Sequence, residues 1–169
     1  MKLSVRGFTL AEILIVTAII SLIASVGFAQ YQASRDQARD ERRKSDVAQL
    51  AVAVRLYYEQ YGEFPCETGS NCSSHSGSAN GEIGAGGLID TLLAPYLEAT
   101  TTDPLGPGDP DYLYYYDGRA ECSSSDQAAI HAITMEIAGA GNWSSVCNGD
   151  TDGGVDGDTY TIVVGRSSG

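Results

Sequence analysis

Between Glu12 and Arg35 the chain carries no charged side chain, which leaves Ile13 to Ser34 as an uncharged, largely apolar stretch of 22 residues. Wound as an α-helix at ~1.5 Å per residue it spans roughly 33 Å, about the hydrocarbon thickness of a bilayer. The stretch is long enough to cross a membrane. Lys2 and Arg6 precede it and an acidic remainder follows, so the positive-inside tendency keeps the short leader in the cytoplasm and the rest outside.

That segment takes up much of the 43% hydrophobic content of the 169 residues, and what is left sustains one head of modest size. A long multi-domain enzyme is excluded. The formal charge of -12 is unevenly spread. From Arg35 to Asp46 five basic residues (Arg35, Arg39, Arg42, Arg43, Lys44) mix with four acids (Asp36, Asp40, Glu41, Asp46). Beyond Val47 only Arg55, Arg119 and Arg166 oppose 17 acids. Such a surface repels phosphate backbones, so nucleic acid is not an expected partner of the head.

A cleaved secretory signal is the competing account of the apolar run, because Gly27-Phe28-Ala29 offers small residues at the positions that signal peptidase reads. It would release a secreted binding domain beginning at Gln30. The run is long for a signal peptide, and Glu12 lies inside its beginning. An ionised carboxylate in a bilayer costs about 2.5 to 3.5 kcal/mol, so Glu12 asks for a partner.

Gly7-Phe8-Thr9-Leu10-Ala11-Glu12, followed by the apolar run, resembles the prepilin signature of type IV pilins and the related pseudopilins. The resemblance implies cleavage of residues 1–7 as a leader by a membrane prepilin peptidase, between Gly7 and Phe8, with methylation of the new amine on Phe8. It also implies that Glu12 meets the N-terminal amine of Phe8 on a neighbouring copy and sets the register of a helical homo-oligomer. In an apolar filament core an isolated ammonium and an isolated carboxylate are each costly and attract each other strongly. Further partners implied are membrane lipid before assembly and a pilus assembly machinery. This chain has Ala29 where pilins often have a helix-breaking proline, and Ser21 where they have a glycine.

Past the apolar run no Gly or Pro occurs before Gly62, and nothing stops the helix. Val47, Leu50, Ala51, Val54, Tyr58 and Tyr61 recur at helical period, an apolar stripe with a polar opposite face. One helix from Phe8 to Tyr61 would run roughly 80 Å, residues 8–34 as a transmembrane or filament-core half and residues 35–62 as its amphipathic continuation. Gly62 and Pro65 end it. The ending Tyr61-Gly62-Glu63-Phe64-Pro65 is similar to the helix exit of pilins and major pseudopilins.

The head, residues 63–169, begins with a Ser/Gly/Asn-rich stretch, Cys66 to Gly87, read as loop. Leu88 to Leu97 reads as a short helix ending near Pro95, and Thr100 to Pro110 as turns. Three strands are predicted: Tyr112 to Tyr116, Ile130 to Ala138 with His131, Ile133, Met135 and Ile137 on one face, and Thr159 to Val164. The expected class is α+β, with a small antiparallel sheet covering the outer half of the long helix. His131 lacks a nucleophile elbow, an HExxH or a phosphate loop as company, so no catalytic residue is assigned and the histidine is read as a satisfied or surface side chain.

Cys66, Cys72, Cys122 and Cys147 all follow the apolar run, an even count that suits an oxidising compartment and two disulfides. Of three pairings the favoured one is Cys66 with Cys72 and Cys122 with Cys147, each closing a Ser- or Gly-rich loop; free or metal-binding thiols lack the CxxC that zinc would favour. Asn148, Asp150, Asp152, Gly153 and Asp156 follow the spacing of a calcium loop, with Asp158 adding a carboxylate and Thr159 in place of the usual closing glutamate. No cofactor is required, and calcium is the one ligand the spacing suggests.

Overall fold

The computed structural model describes residues 8–65, 81–106, 112–118, 127–142 and 159–165. Two compact units emerge, Met1–Gln37 and Ala38–Gly169, and one α-helix, α1 (Leu10–Tyr61), contributes to both. The helix runs unbroken through Gly27 and Ala29; without proline there is neither a missing N–H nor a ring clash to interrupt it.

In the first unit the apolar residues of α1 face outward on all sides. Ile13, Leu14, Ile15, Val16, Ile19, Ile20, Leu22 and Ile23 are each at least half exposed, and the most apolar window has a mean hydropathy of 2.3 with none of it buried. Hydroxyls within this stretch turn back on the helix: Thr17 Oγ1 donates to the Leu14 carbonyl at 3.0 Å, Ser21 Oγ to Thr17 at 2.7 Å and Ser25 Oγ to Leu22 at 2.8 Å. Each polar side chain is satisfied locally, as an apolar surrounding demands. The run closes at Tyr31, over whose ring the Arg35 guanidinium lies 5.7 Å from the centroid.

In the second unit α1 buries Val47, Leu50, Ala53, Val54 and Tyr57. Each large apolar side chain so removed from water contributes about 1.5–3 kcal/mol. Tyr61, expected on this stripe, sits in the last turn, stacks on Tyr57 with ring centroids 4.5 Å apart and stays 52% exposed. Tyr57 takes the buried place, its ring meeting Tyr96 edge-on at 6.2 Å. Gly62 then ends the helix with φ +75°, its N–H returning 2.7 Å to the Tyr58 carbonyl.

A four-stranded antiparallel sheet packs on that face in the order β1 (Glu82–Ile83), β2 (Tyr114–Asp117), β3 (Gln127–Ala132) and β4 (Tyr160–Gly165). Tyr114, Tyr116, Ile130, Ala132 and Val164 join the core with the α1 residues, and the tyrosine hydroxyls are satisfied by Asp46 and the Pro65 carbonyl, both at 2.8 Å. Helix α2 (Leu88–Leu93) and a 3-10 turn (Ala94–Tyr96) add Ile89 and Leu93. The architecture is α+β, as the pattern predicts.

All four strands differ from expectation. β1 falls in a stretch read as loop; two residues between Gly81 and Gly84 carry no strand signal of their own, and only pairing with Tyr114 and Tyr115 makes them one. β3 begins at Gln127 and ends at Ala132 instead of covering Ile130 to Ala138. Its early half is Ala128 and Ala129, wholly buried small residues without strand propensity. Beyond Ala132 the alternation is not a strand, because the N–H groups of Glu136 and Ile137 leave the sheet and bind the Asp40 carboxylate of α1, both at 2.9 Å. β2 and β4 lie one or two residues later than predicted.

Candidate functional site

The start of α1 is closed by its own side chains. Thr9 is the N-cap: its hydroxyl accepts from the Glu12 N–H at 3.2 Å, while Glu12 Oε2 accepts from the Thr9 N–H at 2.8 Å and from the Thr9 hydroxyl at 2.9 Å. This is a capping box, in which residues three apart satisfy each other's orphan donors. Glu12 is therefore not without company in a single copy, a point the sequence reading passed over although Thr-x-x-Glu ahead of an apolar run is its signal. Both bonds involve Oε2, and Oε1 takes no part in them. Phe8 is 83% exposed; Gly7 lies outside the described residues.

Two members of the mixed-charge run, Asp40 and Arg43, lie in the interior, which the sequence reading did not anticipate. Arg43 and Asp40 stand one and two turns back from Val47 along the buried side of α1, and are 0% and 1% exposed. Arg43 fills its fork with acids: Nε reaches Asp103 Oδ2 at 2.6 Å, Nη2 reaches Asp103 Oδ1 at 2.9 Å, and Nη1 reaches Asp40 at 2.8 Å and Glu136 at 2.9 Å. Its guanidinium also stacks 4.6 Å from the Tyr112 centroid, and Arg39 binds both oxygens of the Glu136 carboxylate, sharing Oε1 with Arg43. Burial opposes the charge on Arg43, but the bonds to Asp103, Glu136 and Asp40 outweigh it and hold the pKa above the ordinary value. Glu136 is pulled down to about 2, chiefly by Arg39, against desolvation and with help from Arg43. No local pattern marks these residues except the helical spacing of Asp40 and Arg43 with Val47.

His131 is buried on the sheet face opposite the core tyrosines. Its Nε2–H donates to Asp117 Oδ2 at 2.9 Å, and Nδ1 lies 2.8 Å from Thr161 Oγ1. The arrangement spans β2, β3 and β4 and has the outline of a catalytic relay. Thr161 is only 7% exposed and His131 1%, so no substrate reaches the hydroxyl, and the three side chains tie strands together. Beside them Asn142 occupies the outer edge of β4, accepting from the Thr161 N–H at 2.6 Å and donating to its carbonyl at 3.1 Å.

Cys66, Cys72, Cys122 and Cys147, and the calcium candidates Asn148, Asp150, Asp152, Asp156 and Asp158, lie outside the described residues. Among the described residues no group of three or more His, Cys, Asp or Glu side chains is disposed to hold a metal ion.

Comparison with known proteins bears on the N-terminus and on the whole chain. The family described as Prokaryotic N-terminal methylation motif matches residues 2–28. The chain is 28% identical over 160 residues to the type IV major fimbrial protein FimA of Dichelobacter nodosus, covering 90% of this chain and 94% of that relative. No solved structure matches.

Proposed function

We propose, from the premise that this chain is of the type IV pilin family, to which the methylation motif and the fimbrial relative assign it, that it is a pilus subunit polymerised through α1. As a member of a family of structural subunits it is not an enzyme. The observation that carries the reading is the first half of α1, apolar on every side, with none of its most hydrophobic window buried. Such a surface needs lipid or other helices around it, and a subunit that leaves the membrane for a filament exchanges one for the other.

In this reading the leader is removed between Gly7 and Phe8, the Phe8 amine is methylated, and the helix holds the subunit in the membrane with its acidic head outside until assembly. Glu12 keeps Oε2 on its own Thr9 and offers Oε1 to the Phe8 amine of the next copy. Two opposite charges that are costly apart in an apolar core are then paired. A pseudopilus of a secretion system would use the same helix in the same way.

Sequencing the mature N-terminus tests this. N-methylated Phe8 at the start, in chain recovered from sheared surface filaments, is the expected result. A mature chain starting at Gln30 and found soluble would replace the filament with a secreted binding domain. Calcium in the acidic run from Asn148 to Asp158 belongs to the same proposal and rests on residue spacing alone; millimolar calcium should raise the melting temperature, and Asp150→Ala should abolish the rise.

A further inference from the structure

From Ala38 onward the described residues include five lysine and arginine side chains, and four are bonded to acids of their own chain. Arg39 and Arg43 hold Glu136, Asp40 and Asp103, Lys44 meets Glu41 at 3.0 Å, and Arg42 lies 3.7 Å from Asp46. The fifth, Arg55, is exposed and has no such partner among the described residues, although Glu59 follows one turn later on α1. Arg55 borders a groove of about 380 Å3 whose walls include Tyr58, Glu59, Phe64 and Val164. Along the same side of the helix Val52 and Leu56 are 59% and 41% exposed.

A guanidinium without an acid partner among the described residues stands out on a chain that beyond Val47 sets 17 acids against three bases. Every other described cation in this unit has been claimed by a carboxylate. Heads so acidic repel each other when packed side by side, and a contact between copies needs a group that turns the repulsion into attraction. Arginine and tyrosine are also among the residue types enriched where binding energy concentrates at interface centres.

We propose that this patch is a contact between copies of the chain, in which Arg55 receives a head carboxylate of the neighbouring copy while Val52, Leu56 and the exposed part of Tyr58 are covered. The proposal rests on the reading of the chain as a filament subunit and names one of its lateral contacts. Glu59 lies in the same groove and works against an arriving carboxylate, so it confines that carboxylate to the Arg55 side.

A photoreactive benzoylphenylalanine at Leu56 in the full-length chain, irradiated in filaments on cells, tests this directly. The expected product has the mass of two copies, its second end maps to an acid-bearing head segment, and its yield falls at least tenfold with Arg55→Glu and rises with Glu59→Gln. Among the described residues Arg55 has no ion partner to lose, so these substitutions should leave the head folded, which circular dichroism verifies. Filaments containing normal amounts of the chain but giving no copy-to-copy product, or product insensitive to Arg55→Glu, overturn the contact and leave the filament reading standing. Crosslinks to an unrelated protein overturn it in the same way. Absence of the chain from filaments overturns both.

Discussion

Arg43 holds both carboxylate oxygens of Asp103 with its guanidinium, at 2.6 and 2.9 Å, across a sequence separation of 60 residues and with its side chain wholly buried. The pair joins α1 to the turn that follows the 3-10 helix, while Glu136 and Asp40 draw in the segment after β3. A buried ion pair is weak evidence of net stability, since desolvation offsets much of the attraction. Its removal by halves is another matter, because the abandoned charges stay buried.

Arg43→Ala should therefore cost about 3–5 kcal/mol. Asp103→Asn, which keeps the shape and one acceptor, should cost less. Thermal unfolding of the detergent-solubilised chain, followed by circular dichroism, gives the order; equal small losses for both would show the network to be dispensable.

The lowered pKa of Glu136 links stability to acid. A carboxylate whose folded pKa lies below its ordinary 4.5 contributes stability that is present above that value and is lost as the pH falls through about 2. The melting temperature should drop between pH 4.5 and pH 2, and Glu136→Gln, already lower at neutral pH, should show a shallower drop over the same interval. Parallel curves for the two proteins would assign the acid sensitivity to other carboxylates.

Glu12 has two separable roles, at the helix cap and in assembly. Glu12→Gln retains an acceptor for Thr9 but not the charge, whereas Glu12→Ala loses both. Each variant should insert in the membrane and be scarce in sheared filaments, measured by immunoblot of the sheared fraction. Normal incorporation of Glu12→Gln would mean that the hydrogen bond to Thr9, and not the charge, is what assembly needs.

His131→Ala should destabilise by about 1–3 kcal/mol by taking one hydrogen-bond donor from the buried Asp117 carboxylate and one partner from Thr161. Thr161→Val, which removes one hydroxyl, should cost about 1 kcal/mol. Chemical denaturation compares them, and a larger loss for Thr161→Val would reverse the assignment of His131 as the hub of the three strands.

Gly84 and Gly86 both have positive φ, at 95° and 78°, but a Cβ on Gly84 would meet the Thr101 carbonyl at 2.8 Å while one on Gly86 meets nothing within 4 Å. Alanine at Gly86 should cost about 1 kcal/mol for backbone strain, and alanine at Gly84 clearly more. Similar melting temperatures for the two variants would show that the loop yields at Thr101.

The parts of this protein that a reader of the sequence can foresee are those fixed by near neighbours. An apolar run long enough to span a bilayer is held helical because lipid leaves its backbone groups no other partners, Gly62 ends the helix because only glycine enters that conformation without penalty, and Thr9 and Glu12 close its start at a spacing of three. Residues 8–61 were legible for that reason, as was the α+β class. β1 was not, since two residues acquire strand geometry only from Tyr114 and Tyr115. The run after Ala132 was misread because its alternation is that of a strand, and only a carboxylate on α1 some 96 residues away takes its N–H groups out of the sheet.

The sequence by itself determined the greasy helix, its capped acid and the sign of the head. Tertiary structure alone decided that Asp40 and Arg43 would be interior and that Asp117 and Thr161 would bracket His131. It also decided that Arg55 would have no acid partner among the described residues. The reason is that hydropathy and capping act over a few residues along one helix, whereas the burial of a charge depends on which distant groups of opposite sign the fold brings to meet it.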